Sequence, residues 1–364
     1  MDPTGPIAQR FPLVARIRPT CLPLPDRVAR LTEIADAAER EAFQGAASSV
    51  FNQAALLASD VGLPDLARQW CHRHAAAYLG PTPLTGMDAI RALEPIVNLA
   101  RLHIRAGRGD QGHGILLALY QAVTAGTPAA LETITIPADL TATDADRQEV
   151  REWLWRVIIA DATRALTTSG RWNDAHGHLQ QHRGVGRRML DGRQVAILAR
   201  ATAGDNEGAQ KLIADTAPGE PWENAVTTCL AALCHPANHR PDPAEVQALL
   251  TRCRELDLQA DLVVFQTRLT LSVIDATRNL HHPSVKALAS DLADHVLHLH
   301  DGYAARDILA HRHHDACLTS IQIQRLSETV AACALGHHAL PEPFRSGIEA
   351  ALTRSEAVIR TTAA

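Results

Sequence analysis

LLASDVGLPDLARQWC, residues 56–71, reads as the bend of a helical hairpin: an aliphatic helical pattern ends at Gly62 and a second one follows. Three other stretches share its layout: LARLHIRAGRGDQGHGIL (99–116), ATRALTTSGRWNDAHGHL (162–179) and ILARATAGDNEGAQKLI (197–213). Aligned on Gly62, Gly107, Gly170 and Gly204, each has a small residue five positions on: Ala67, Gly112, Ala175 and Ala209. Nine positions on stand the apolar Cys71, Leu116, Leu179 and Ile213; five positions before stand Leu57, Leu102, Ala165 and Ala199. A hairpin needs this set. The glycine tolerates the tight connection, the small residue sits where the second helix crosses the first, and the apolar residue fills the groove a turn later.

Composition points the same way. The 364 residues are 46% hydrophobic and only 4% aromatic, so core volume must come from Ala, Leu, Val and Ile. That suits close helix packing better than a sandwich of aromatic and β-branched strands, and it excludes chain-wide disorder. An all-α protein follows. Glycine spacings of 45, 63 and 34 residues leave the 63-residue interval to an insertion near 126–146, GTPAALETITIPADLTATDAD, whose β-branched Thr133–Ile136 run suggests a short extended segment.

Six prolines in residues 1–25 make that stretch an arm, and its Ile7, Phe11, Leu13, Val14 and Ile17 would lay it against the body. Residues 26–364 form the helical-repeat domain, starting with Asp26 as N-cap of a helix carrying Val28, Leu31, Ile34 and Ala35. Beyond residue 216 the register weakens. Helices are expected after Pro221, over Pro243–Leu256, over 258–280, 283–300 and 303–335 with a break near Leu318, and from Pro343 to about Ile359 as a cap. HPANHRPDP (235–243) reads as a loop.

The four glycine-centred segments resemble the tetratricopeptide helix-turn-helix pattern. Only the last interval has that family's 34-residue period, and its consensus aromatics and helix-ending proline are largely missing. RRMLDGRQVAILA (187–199) and PWENAVTTCLAALC (221–234) add a resemblance, over residues 30–235, to the helical-repeat sensor halves of actinobacterial regulators and to stand-alone accessory proteins beside natural-product genes. The resemblance implies a right-handed α-solenoid of seven or eight hairpins; an unrepeated helical bundle is the alternative. It implies a non-catalytic peptide- or protein-binding module, regulatory or accessory to a biosynthetic pathway. First helices of the hairpins would line a concave groove, with Asn52, Asn98, Arg101, Arg105, Arg164 and Arg200 gripping backbone or carboxylates. Trp155 or Trp172 would anchor a peptide there, against the alternative of core packing.

Charge and cysteine content narrow the partners. A net charge of -5, with 35 Lys plus Arg of which only Lys211 and Lys286 are lysines, argues against direct nucleic-acid binding, although Arg183, Arg187, Arg188 and Arg193 could form a local patch. The N-terminal stretch shows no helix-turn-helix DNA-reading unit, so action on DNA would need a partner chain. A homodimer is compatible with the sequence. The seven cysteines lack any Cys-x-x-Cys pair and sit among aliphatics, as buried thiols in a reducing compartment would. With no leader pattern and no run near the roughly 18 apolar residues of a membrane helix, a cytoplasmic protein away from membranes is expected.

Ten of the 19 histidines fall between 281 and 338. Asp291, His295 and His298 share a helix face, and His311 and Asp315 are a further i, i+4 pair, so these five could hold Fe, Mn or Zn in an all-helical metal-dependent enzyme. The alternatives are exposed, partner-facing side chains or a pH-sensitive surface. His178 and His182, one turn apart, are expected toward solvent or the groove. His72 and His74, two apart, cannot share a face and suggest no site. Nucleophile elbows, phosphate loops and Asp-rich cyclase motifs are absent from the sequence. No cofactor is expected of the binding module.

Overall fold

The computed structural model describes residues 1–80, 82–236, 238–256 and 260–362, and within them the chain is all-α. It divides into two compact units: one is Met1–Pro23 with Gly170–Cys333, the other Leu24–Ser169 with Ala334–Ala364. Each terminal segment thus belongs to the unit that holds the far half of the chain.

The first unit begins with the arm, whose regular element is a single turn, α1 (Pro6–Gln9). In the second unit follow α2 (Leu24–Glu41), α3 (Gln44–Val61), α4 (Pro64–Tyr78), α5 (Gly86–Arg105) and α6 (Gly109–Ala125). A two-stranded antiparallel hairpin, β1 (Ala129–Leu131) and β2 (Ile134–Ile136), comes next. Then α7 (Asp144–Val157) runs through one π-helical turn (Ile158–Ala162) into α8 (Thr163–Thr167). Neighbours in this row pack on one another, and α3 also touches α5 as α5 touches α7. Helix α2 starts two residues before Asp26, which therefore lies in the first turn, where a carboxylate suits the helix dipole, and is not the N-cap.

At Gly62, Gly107 and Gly204 the glycine register is realised as a packed hairpin, α3 on α4, α5 on α6 and Asp191–Thr202 on Asn206–Ala214; the helices flanking Gly170 are not such a pair. Gly62, Gly107, Gly170 and Gly204 all have positive φ, and the residues at minus five, plus five and plus nine are buried in every copy. The crossing argument is sharpest at Gly112: a Cβ there would lie 2.7 Å from the Ala100 carbonyl of α5, so α5 and α6 meet this closely only over a glycine. Gly170 stands at the boundary of the two units.

The insertion is a hairpin stitched down at its tip. Glu132 and Thr133 turn it with φ of 52° and 70°. Glu132 then pairs with Arg68 of α4 and accepts from His103 Nε2 of α5 at 2.6 Å, while Arg108 donates to the other nitrogen of that imidazole.

The last helix, which in chain order is α19 (Glu342–Thr362), packs on α2 and α3 and so extends the row from its beginning. Arg73 of α4 bonds Glu349 and Glu356, and the buried Trp70 indole donates to Glu349 at 2.8 Å. The approach to that helix covers the end of α3: Gly336 and His338 donate backbone amides to the Asp60 and Val61 carbonyls, which the helix end leaves without intrahelical partners.

The first unit continues with α9 (Trp172–Gln181), α10 (Asp191–Thr202), α11 (Asn206–Ala214), α12 (Pro221–Leu233), α13 (Pro243–Arg254), α14 (Val263–Thr277), α15 (Pro283–Leu299), α16 (Gly302–Leu309), α17 (His314–Cys317) and α18 (Ser320–Ala332). Residues 258 and 259, the expected start of one helix, lie outside the described residues. The expected 303–335 helix is three pieces, broken at Ala310–His313 and again at Leu318, whose backbone is extended. The arm is threaded over this unit by polar clamps. Leu13 exchanges two 2.6 Å bonds with the Gln194 side chain, Cys21 N–H donates to Asp301, and Arg10 pairs with buried Asp275.

Candidate functional site

On α5 the polar residues Glu94, Asn98, Arg101 and Arg105 recur at i, i+4, i+7 and i+11, one stripe along the helix. It faces Ser48, Asn52, Ser59 and Asp60 of α3, and the two sets join in two bonded groups, a network around Glu94 and a cluster around Asp60. Arg101 forks onto both oxygens of Asp161 at 3.0 and 2.8 Å and donates to Asn98 Oδ1 at 3.1 Å. Asn98 donates to Asn52 Oδ1 at 2.8 Å, and Asn52 donates to Glu94 Oε2 at 2.6 Å.

A second relay reaches the same oxygen from the other side. Ser48 donates its hydroxyl hydrogen to Glu94 Oε2 at 3.1 Å, which leaves Ser48 Oγ to accept from His74 Nε2 at 3.0 Å. A hydroxyl has one hydrogen, so this direction fixes the imidazole as its Nε2–H tautomer. His74 lies wholly buried, stacked on Phe51 with ring centroids 4.8 Å apart, and burial pushes its pKa down to about 3. It is a neutral, oriented donor. All donors therefore point inward to Glu94, from Arg101 through two amides and from His74 through one hydroxyl, and the partners combine to polarise that carboxylate.

Beside this network the buried Asp60 carboxylate is gripped by Arg27 at 2.7 Å and Arg105 at 3.0 Å. Exposure is uneven in a useful way. The Arg101 and Arg105 side chains are 49% and 47% exposed, whereas Asp161 and Asp60 are 16% and 2% exposed. The carboxylates orient the guanidinium groups from below and leave their outer edges open to a ligand. Asp161 is placed by the π-helical turn, whose extra residue per turn re-aims the side chains on it.

The structure thus brings Asn52, Asn98, Arg101 and Arg105 into one surface. Arg164, half-buried, lies on α8, and Trp155 is an exposed side chain on α7 of the same unit. Arg200 is in the other unit, exposed and paired with Asp205 at 2.7 Å. Trp172 is buried, and its indole N–H donates to the Pro3 carbonyl at 2.9 Å, so it holds the arm. Among the five acid and imidazole residues of the alternative, Asp291, His298 and Asp315 are exposed and His295 is half-buried, while His311 turns inward to Asp275 at 3.2 Å. His311 follows α16 and Asp315 lies on α17, so their i, i+4 spacing is not a helix face. Among the described residues no three of the five come within metal-sharing distance.

Glu94, Ser48, His74, Asp60, Arg27 and Asp161 were not legible as site residues. For Glu94 the signal was present, the helical spacing to Asn98 and Arg105. His74 needed its three-dimensional neighbours, since its spacing to His72 is uninformative. His178, expected toward solvent or groove, is buried against His182. Cys71 is likewise sealed, burial raising its thiol to about 12, far from nucleophilic use. Comparison with protein-family models, with curated proteins and with solved structures gives no match, so this surface is read from its own geometry.

Proposed function

We propose that the chain is a non-catalytic helical-repeat module that binds a peptide or a partner protein through the α3/α5 polar stripe. The observation that carries the reading is the convergence of two donor relays on Glu94, a half-exposed carboxylate that takes both on Oε2. Oε1 is left to accept an N–H from a ligand, while the outer edges of Arg101 and Arg105 offer donors to carbonyls or carboxylates a few residues along. Acceptor and donors in one row suit an extended backbone, which presents both. The network is formed without ligand, so little side-chain ordering remains to be done on binding.

Each unit, in this reading, is a short run of tetratricopeptide-like α-solenoid. The serial packing in the unit holding α2–α8 and the buried small residue after each turn glycine support it. A regulatory or accessory role in a biosynthetic pathway, carried out in the cytoplasm, accords with cysteines that are buried at every position but Cys317 and with the finding that no helix among the described residues is long and apolar enough to cross a membrane.

Selection from a displayed random-peptide library, followed by fluorescence polarisation with a selected peptide, tests the site. The Asn98→Ala/Arg105→Ala variant should bind at least tenfold more weakly with unchanged helicity. A library that yields no binder, or equal binding by the variant, would remove the assignment.

A further inference from the structure

We propose that His235, His239 and Glu245 form a site for a divalent first-row transition ion, with Zn2+ the best match. The three residues offer one donor atom each, two imidazole nitrogens and a carboxylate oxygen, all within 4.8 Å of one another. His239 Nε2 and Glu245 Oε2 are 3.2 Å apart. Zinc bonds of about 2.0–2.1 Å at tetrahedral angles set ligand atoms roughly 3.3 Å apart, so that pair already has the required separation. The two imidazole rings stack, with centroids 4.2 Å apart and planes inclined by 25°. Two nitrogens and one oxygen fit Zn2+ better than the harder Mg2+ or Ca2+, and three protein ligands leave a fourth position open.

The surroundings hold the three in place without an ion. Arg278, in left-handed conformation at the end of α14, donates to the carbonyls of His235, Pro236 and His239 at 3.1, 2.7 and 2.8 Å and so fixes the backbone at both histidines. Glu245 is fixed by the capping box of α13: Asp242 N–H donates to Glu245 Oε2 at 2.9 Å and Glu245 N–H to Asp242 Oδ1 at 2.9 Å. Such outer partners set ligand orientation in metal sites. Both histidines are half-buried and Glu245 is exposed, which gives an ion a path in. The bound ion would clip the end of α12 to the first turn of α13.

The test uses the full chain, purified without a histidine tag and stripped with chelator. Titration with Zn2+ against a chromophoric competitor should show one equivalent bound, and Co2+ should give the visible absorption of a four-coordinate nitrogen and oxygen site. His239→Ala and Glu245→Gln should each weaken binding by about tenfold or more. Glu245→Gln keeps an acceptor for the capping bond, so it reports on the ion even where another variant folds poorly. His295→Ala/His298→Ala should bind like the parent. Absence of stoichiometric binding, or binding that survives both His239→Ala and Glu245→Gln, overturns the proposal.

Discussion

Acidification is the sharpest probe of the network, because one end of it is a histidine that the fold keeps neutral. In the unfolded chain His74 titrates near the ordinary histidine value of about 6.5; in the folded protein burial lowers the pKa to about 3. Above 6.5 neither state is charged there, and the group leaves stability unaffected. As the pH falls below 6.5 the unfolded state takes up a proton that the folded state refuses, so stability drops toward the limiting slope of about 1.4 kcal/mol per pH unit until the folded value is reached. Between pH 7.5 and 5 the integrated loss from this residue is about 2 kcal/mol. His74→Gln removes the titration. It also gives up the stack on Phe51, but that cost is the same at every pH and cancels in the comparison. Urea unfolding of both proteins at pH 7.5, 6 and 5 should show the parent losing about 2 kcal/mol more than the variant over this range. Ring-carbon chemical shifts of His74 should stay those of a neutral Nε2–H imidazole down to about pH 4. Parallel stability curves, or a His74 signal that titrates near 6.5, would refute the assignment of a neutral donor at the head of the relay.

Three further outcomes follow from particular residues. Gly62→Ala places a Cβ at φ 91° and 2.7 Å from the His338 ring; it should destabilise by about 1–3 kcal/mol, read as a lowered thermal midpoint. Thr133→Gly relieves a β-branched residue at φ 70° in the exposed turn between β1 and β2 and should stabilise by about 0.5–1 kcal/mol in the same assay. Asp275, 2% exposed, is penalised by burial yet held below the usual carboxylate range by the His311 hydrogen bond and Arg10. Its stabilisation is present above the unfolded pKa and is lost as the pH falls through the lower folded one. Asp275→Asn should cost about 3 kcal/mol at neutral pH, remove that acid-side loss, and speed tryptic cleavage after Arg10 and Arg16.

Much of the fold could be read along the chain because hairpin formation is local. A turn glycine, a small crossing residue and an aliphatic filler are set by spacing, and Gly62 to Cys71 carries the whole instruction. Most of the expected Thr133–Ile136 strand was visible, as Ile134–Ile136 with Thr133 in the turn, although its docking through Glu132 onto Arg68 and His103 was not, since those partners are 64 and 29 residues away. The same limit explains the terminal segments. Nothing in the arm's prolines says that Arg10 pairs with Asp275, and nothing in α19 says that Glu349 meets Trp70; both depend on contacts more than 260 residues apart. At the site, Asn98 and Arg105 were legible from their place on the first helix of a hairpin. Asp161 was not, because the π-helical turn that aims it has no periodic signature.

The scarcity of aromatics and the chemistry of the surface are one fact. Asn52 and Asn98 bond directly between α3 and α5 at 2.8 Å, a span that two short amide side chains can close only if the backbones lie at the near end of the roughly 8–10 Å range for packed helices. The buried positions around them allow it: Ala47, Ala54, Ala55 and Ala58 on α3, and Ala89, Ala92 and Ala100 on α5. Large residues at these places would push the helices apart until only Arg or Glu could reach across, and those long side chains lose more rotamer freedom on being fixed. Short amides held between alanine-lined helices lose less and stay aligned, which is what a donor relay to Glu94 requires. The alanines that let the hairpins pack therefore also set the reach, and with it the side-chain types, of the surface that would meet a ligand.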